Sequence, residues 1–142
     1  MDQTDDAPIH DLLEHVVVPV ASEADARATA TALEPYRPER VTGLHVVEKA
    51  GGAPDKLPLE QAEGVAADAH AAVRETFPDA DDRTAYARDV VGAIVEVADE
   101  LDASAIAYRP RGGSRLVQLL SGDRSRKLVD RADRPVVVLP GE

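Results

Sequence analysis

The chain has 142 residues, carries a net charge of −11 and contains no cysteine. Its length fits a single domain, which buries roughly 70% of the surface that the unfolded chain exposes. The negative charge argues against general affinity for nucleic acids or anionic membranes, and the absence of thiols excludes disulfides and thiolate metal sites.

The acidic residues are spread along the chain, and lysine occurs only as Lys49, Lys56 and Lys127. This composition favours an acidic, haloarchaeal-type protein from a salt-rich cytosol, where the Debye length falls to about 3 Å at 1 M. An ordinary acidic soluble protein is the alternative. Because there is no long apolar run and the N-terminus is acidic, we expect a cytoplasmic chain without a signal peptide or membrane anchor.

The first third of the chain shows a strand, a helix and a second strand after a polar segment. Residues 1–13 are acidic and are predicted to be flexible. The β-branched run from His15 to Val20 predicts a strand that is covered on both faces. Ser22-Glu23-Ala24-Asp25 reads as a capping box that begins a helix ending near Glu34, and Thr42 to Glu48 is the second predicted strand.

The middle of the chain alternates in the same way. Lys49 to Leu57 is rich in Gly and Pro and is predicted to be a loop. Pro58 fits the first turn of a helix that runs to Thr76. Asp81-Asp82 is interpreted as a solvated turn, and Arg83 to Arg88 as a short third strand near the edge of the sheet.

The last third adds two strands and three helices. Asp89 is predicted to cap a third helix that extends to Leu101, and Ser104 to Tyr108 is the fourth strand. A short helix is expected around Leu116 to Leu120 and another at Ser125 to Arg131. Pro135 to Leu139 is the fifth strand.

Strands that alternate with helices predict a single doubly wound, Rossmann-like α/β domain with five mostly parallel strands. In such sheets ligands bind beyond the carboxyl ends of the strands, where the strand order reverses. The turn at Ala21-Ser22 and the turn from Arg109 to Gly113 are the segments that the pattern places there.

Common enzyme signatures are missing, including the P-loop, G-x-G-x-x-G, H-E-x-x-H and G-x-S-x-G patterns. The four histidines, His10, His15, His45 and His70, lack the spacing of a metal site, and His45 is interpreted as a structural residue inside a strand. We therefore predict no catalytic residue set and no metal site.

Three C-terminal segments, residues 108–116, 122–125 and 132–138, have the arrangement of a glycine-rich loop, a last helix and a final strand. In these segments, in its first two strands and in residues 94–98 of its third helix, the chain resembles the universal stress protein (UspA) family. The resemblance implies that residues 14–142 form one such domain, with an adenine nucleotide alpha hydrolase-like sheet of strand order 3-2-1-4-5 and helices on both faces.

ATP-binding members of that family share the pattern G-x-x-G-x9-G-[ST] and an Asp shortly after the Pro of strand one. In this chain the three glycine positions hold Arg109, Gly112 and Gly122, the Ser/Thr position holds Asp123, and the strand-one Asp is replaced by Ala21. If nucleotide binding is retained, the resemblance implies these contact residues: Pro19, Val20, Ala21, Val46, Tyr108, Arg109, Arg111, Gly112, Gly122, Asp123, Arg124 and Ser125.

Each departure from the pattern has a physical cost. Ala21 cannot accept a hydrogen bond from the nucleoside, a loss of about 1.5–3 kcal/mol for a charged acceptor. Asp123 brings a carboxylate towards the phosphates, and two like charges about 4 Å apart repel by roughly 4 kcal/mol at a partly exposed site, less in high salt. Pro110 removes an N–H, and Arg109 puts a side chain where the backbone should approach the pyrophosphate. If these terms add without compensation, they lower ATP affinity by a factor on the order of 1,000 or more, so we expect a degenerate ATP-binding loop.

The arginines around this loop can be interpreted in two ways. They could form a rewired anion site, since guanidinium groups suit phosphate and a helix begins here. Alternatively, Asp123 caps the next helix and the arginines pair with surplus carboxylates. The residues concerned are Arg109, Arg111, Arg115, Arg124 and Arg126.

The sequence thus favours a non-catalytic domain that acts by forming a homodimer or by binding an unidentified protein partner. The resemblance implies that the dimer forms through the last strand, at Val136, Val137, Val138 and Leu139. The alternative is a nucleotide-binding member that holds ATP, AMP or another phosphate ligand through the arginine-rich loop. A third hypothesis is a nucleotide-dependent enzyme from the wider adenine-binding α/β group, and the absence of a catalytic residue set argues against it.

Overall fold

The computed structural model describes residues 11–49, 59–110 and 122–140, without the side chains of Leu59, Gly122 and Asp123. Four helices and five strands alternate in these ranges, and a 3-10 turn at Glu34–Tyr36 follows the first helix. The elements are β1 (Val16–Pro19), α1 (Glu23–Leu33), β2 (Val41–Glu48), α2 (Leu59–Thr76), β3 (Asp81–Ala87), α3 (Val90–Glu100), β4 (Ala105–Tyr108), α4 (Gly122–Arg131) and β5 (Val136–Val138).

All five strands lie in one sheet of order β3-β2-β1-β4-β5, and every neighbouring pair is parallel. This confirms the predicted fold class and strand order. The chain runs outwards from β1 through β2 to β3 and then returns to place β4 on the other side of β1. The strand order therefore reverses between β1 and β4, and in sheets of this kind ligands bind in a crevice at the carboxyl ends of the two strands that flank the reversal.

The two central strands, β1 and β4, are buried along their whole length. One face of the sheet packs with α3 and α4 around residues that include Leu44, Ile106 and Tyr108. The other face packs with α1 and α2 around residues that include Val18 and Ala107. Burial on both faces explains why β1 reads as a continuous apolar run rather than an alternating one.

Helix α1 begins as predicted, but its first turn differs from a standard capping box. The Ser22 hydroxyl accepts a hydrogen bond from the Asp25 N–H at 3.2 Å. The Asp25 carboxylate accepts from the N–H of Ala21 at 2.8 Å, whereas a capping box would direct it to the N–H of Ser22. Asp25 is only 4% exposed, so this bond fixes the turn between β1 and α1 from the inside.

Strand β3 corrects one prediction. Asp81 and Asp82 are its first two residues, not a solvated turn. Each carboxylate has an arginine partner from the neighbouring elements: Arg40 lies 2.9 Å from Asp81, and Arg74 lies 2.7 Å from Asp82. The strand is outermost in the sheet, as its weaker apolar pattern predicted.

The last helix also begins earlier than predicted. Helix α4 starts at Gly122 rather than Ser125, so Asp123 lies in its first turn and not in the capping position before it. The predicted helix around Leu116 to Leu120 and the predicted loop from Lys49 to Leu57 lie largely or wholly outside the described residues.

The beginning of the described chain is bonded to the residue before β4. The carbonyl of Leu12 accepts a hydrogen bond from the Ser104 hydroxyl at 2.8 Å.

Three histidines are buried in the described part of the chain: His15, His45 and His70, with exposures of 8%, 7% and 6%. The ring Nε2 of His15 lies 2.9 Å from the Thr42 hydroxyl. The ring Nε2 of His70 lies 3.2 Å from the Thr84 hydroxyl. Burial lowers the pKa of all three imidazoles below the usual 6.5.

None of the described helices is long and apolar enough to cross a membrane.

Candidate functional site

The floor of the candidate site is the carboxyl end of β1. The Val20 N–H donates to the Leu44 carbonyl at 2.9 Å, which continues the pairing with β2 beyond the last residue of β1. Ala21 is half-buried and packs against the core on the α3 and α4 side. Its N–H is already bonded to Asp25, so the side chain and the N–H of Ala21 both face the protein's own groups.

His45 supports this turn from β2. Its Nδ1 lies 3.1 Å from the Val20 carbonyl oxygen, and since a carbonyl can only accept, Nδ1 carries the proton. Burial lowers the pKa of His45, although the bond to Val20 opposes the shift. The neutral imidazole therefore positions the end of β1, which agrees with the structural role predicted for it.

Strand β2 forms one wall of the candidate site, and it extends well beyond the carboxyl end of β1. Pro19, the last residue of β1, pairs with Leu44, and β2 continues for four more residues to Glu48. At about 3.3 Å per residue this overhang is roughly 13 Å long. Val46, 5% exposed, lies in the overhang and belongs to the core on the α3 and α4 side.

The wall on the β4 side is formed by Tyr108, which is 2% exposed and belongs to the same core. Its phenol oxygen makes a short hydrogen bond to the hydroxyl of Ser125 in the first turn of α4. This bond joins the end of β4 to the start of α4 and fixes the direction in which the helix leaves the sheet.

An ion pair links the two walls. The Arg124 Nη2 lies 3.1 Å from Oε1 and 2.9 Å from Oε2 of Glu48, so one guanidinium nitrogen contacts both carboxylate oxygens. The side chains are 28% and 49% exposed, which places the pair at the solvent boundary. Because β1 lies between β2 and β4, a contact from the end of β2 to the start of α4 passes over the carboxyl end of β1.

The structure therefore brings together much of the predicted site, at one end of the sheet. Gly122 and Asp123 are placed there by their backbone, whereas Arg111 and Gly112 lie outside the described residues. No cluster of three metal-ligating side chains occurs in the described ranges. The predicted residues whose side chains are described at this end are Pro19, Val20, Ala21, Val46, Tyr108, Arg109, Arg124 and Ser125.

Two residues of the site were not predicted to belong to it. Glu48 was recognised only as the end of a strand, and Asp25 only as part of a capping box. A partial signal existed for Glu48, because the last residue of a parallel strand lies at the end of the sheet where ligands bind, but only the register shows that β2 extends past β1. No sequence signal distinguishes Asp25 from an ordinary capping residue, since its burial depends on the packing of α1.

The residues predicted to form a dimer interface lie on or directly after β5, at the edge of the sheet opposite to β3. Strand β5 is outermost, and among the described strands it pairs only with β4. Val136 and Val137 are half-buried, Val138 is 53% exposed, and Leu139 is buried at 3% exposure.

A model of the universal stress protein family matches residues 13–140 of the chain. A search of curated proteins finds no match.

Solved structures share the fold. The universal stress protein from Archaeoglobus fulgidus is 24% identical with a TM-score of 0.63, over 87% of this chain and 96% of that one. The universal stress protein from Archaeoglobus fulgidus in complex with dAMP is 21% identical with a TM-score of 0.61, over 91% and 99%. A universal stress protein in complex with cAMP is 16% identical with a TM-score of 0.62, over 92% and 98%.

Proposed function

Because the chain belongs to the universal stress protein family, we propose that it is a non-catalytic, homodimeric domain whose crevice no longer binds ATP in the manner of the motif-bearing members. The observation that carries this proposal is the state of Ala21 at the floor of the crevice. The acidic acceptor of the family pattern is missing there, and the N–H of Ala21 is already bonded to a buried carboxylate.

Asp25 does not replace the missing acceptor. It is the carboxylate that contacts the turn after β1, but it is 4% exposed and its Oδ2 is held at 2.8 Å by the Ala21 N–H. A ribose hydroxyl could reach this carboxylate only by entering a closed part of α1, because Asp25 is buried.

Calorimetry with ATP and AMP in molar salt tests the loss of ATP binding. We expect no micromolar binding of ATP by the wild-type chain. Micromolar binding that the Gly112→Val substitution abolishes would refute the proposal. We also expect that Ala21→Asp combined with Asp123→Ser raises nucleotide affinity, because it restores two positions of the family pattern.

The proposed dimer pairs two copies of β5. Its support is the exposed edge of the outermost strand, where Val138 is 53% exposed. An apolar, β-branched edge strand is a template for pairing with another chain and needs a cover. Gel filtration with light scattering tests this: a chain that remains monomeric at millimolar concentration in molar salt would exclude the dimer.

A matched pair of variants locates the interface. Val138→Glu should shift the chain towards the monomer, because two carboxylates would meet at the pairing edge. Tyr86→Glu is the control, since Tyr86 is 42% exposed on β3 at the opposite edge of the sheet. The proposed location is refuted if both variants change the oligomeric state equally.

A second candidate function is the binding of an AMP-type nucleotide in the same crevice. It is favoured by Arg124 and Ser125 in the first turn of α4, and by the relatives described in complex with dAMP and cAMP. Micromolar binding of AMP with no detectable binding of ATP would support this alternative. For either function we expect ATP turnover equal to that of buffer, and turnover above it would refute the non-catalytic assignment.

A further inference from the structure

We propose that Glu48 is the residue that excludes phosphate ligands from the crevice, by holding Arg124 with its own carboxylate. The inference rests on the proposed function, in which the crevice is a family nucleotide site that has lost its ATP-binding mode. It adds a specificity-determining group that lies outside the family's glycine-rich pattern and that acts through charge.

The geometry of β2 places Glu48 over the crevice. Side chains along a strand alternate between the two faces, so Glu48 shares a face with Leu44 and Val46. Both of these residues belong to the core on the α3 and α4 side, which also contains Tyr108. Glu48 therefore points to the side of the sheet on which α4 begins, at the end of the overhang beyond β1.

The chemistry of Arg124 makes the exclusion specific for anions. A guanidinium group binds carboxylates and phosphates through the same N–H donors, so the two compete for it. The contacts of 3.1 and 2.9 Å join residues that are 76 positions apart in the chain. A phosphate monoester that approaches Arg124 must displace the Glu48 carboxylate or lie beside it against like-charge repulsion.

A purely structural ion pair is the competing explanation, in which Glu48 only ties α4 to β2. Exposed pairs of this kind contribute little to stability, and the half-exposed Glu48 fits that description. The two explanations differ in ligand binding. A structural tie would affect unfolding alone, whereas the proposed exclusion affects phosphate-bearing ligands and leaves an uncharged nucleoside unaffected.

The test compares the wild-type full-length chain with Glu48→Gln by calorimetry against inorganic phosphate, AMP and adenosine in low salt. We expect Glu48→Gln to bind AMP and phosphate at least about 10-fold more tightly, equivalent to about 1.4 kcal/mol, with adenosine affinity unchanged. Glu75→Gln is the matched control. It removes the same charge from a comparable pair with Arg27, at 3.0 and 2.9 Å, on the outside of α1 and α2.

Further variants complete the design. Glu48→Ser should give the same gain as Glu48→Gln, and Glu48→Gln combined with Arg124→Gln should lose it. Equal phosphate affinity in the wild type and both folded Glu48 variants would overturn the inference, and so would an equal gain for adenosine. Micromolar ATP binding by the wild type would refute the proposed function instead. The role of Glu48 is judged separately, from the ratio of the phosphate affinities of the variant and the wild type.

Discussion

Stability should decline as the pH falls below 6.5, because burial lowers the pKa of three histidines in the folded chain. Their exposures are 8% or less, and burial is the main cause of the lowered pKa of each. His15 lies against Thr42, His45 against Val20 and His70 against Thr84. After burial and the opposing charge of Asp82, the charge of His45 also lowers the pKa of His70, so two of the three sites are coupled.

The sign follows from proton counting. Each pKa is lowered in the folded state, so between pH 6.5 and the folded pKa the unfolded chain binds more protons than the folded chain. The contribution of these histidines to the free energy of unfolding is therefore complete above pH 6.5, and it declines as the pH falls towards the folded-state pKa values. One histidine contributes at most about 1.4 kcal/mol per pH unit, so three give a limiting slope of about 4 kcal/mol per pH unit.

Urea denaturation at constant ionic strength between about pH 7.5 and 5 measures this slope. His70→Gln should reduce it by up to about 1.4 kcal/mol per pH unit, because one of the three proton sites is removed and the amide can still bond to Thr84. Asp89 does not interfere, since the hydrogen bond from Arg131 lowers its pKa and its contribution is lost only at more acidic pH. A free energy of unfolding that is constant over this range would refute the reasoning.

Three further predictions concern packing and assembly. Gly92→Ala should lower the free energy of unfolding by about 0.5–2 kcal/mol, because its Cβ would lie 2.5 Å from the Asp89 carboxylate that caps α3. The control Gly64→Ala should stabilise the chain by up to about 1 kcal/mol in the same denaturation assay, since outside its chain neighbours and the backbone of its own helix no atom lies within 4 Å of the added Cβ. Tyr108→Phe should cost about 1 kcal/mol in thermal unfolding through the lost hydrogen bond to α4, and a neutral result would argue against that bond. Val138→Glu should weaken association in gel filtration; an unchanged elution volume would contradict pairing through β5.

The sequence predicted the centre of the sheet better than its edges. Strands β1 and β4 are buried on both faces, so only apolar residues fit there, and their runs could be read without knowing the fold. The order of the strands came from the resemblance to the family, because strand patterns alone do not specify which strands are neighbours. The sheet has the order that the resemblance implied.

Strand β3 shows where the sequence was insufficient. Its first residues, Asp81 and Asp82, have low strand propensity and were assigned to a turn. Arg40 and Arg74 pair with them in the folded chain, and these partners come from other elements. Local propensity could not include those contacts, which explains the error.

The candidate site was predicted in the same uneven way. Ala21 was identified because a family pattern names that position, and the structure places it at the floor of the crevice. Glu48 required the strand register, since only the pairing of Pro19 with Leu44 shows that β2 extends past β1. Asp25 required the packing of α1, which no pattern of single residues encodes.

The two edges of the sheet differ in what they offer to another copy of the chain. On β3 the outer residues include Asp81 and Asp82, which carry charge and are held in ion pairs. On β5 they are valines, with Val138 more than half exposed. A β-sheet with two apolar edges could add copies without limit and grow into a fibre. With only one such edge, the proposed pairing through β5 would join each chain to a single neighbour around a two-fold axis, so the proposed assembly would be complete at two copies and would not grow further as the concentration rises.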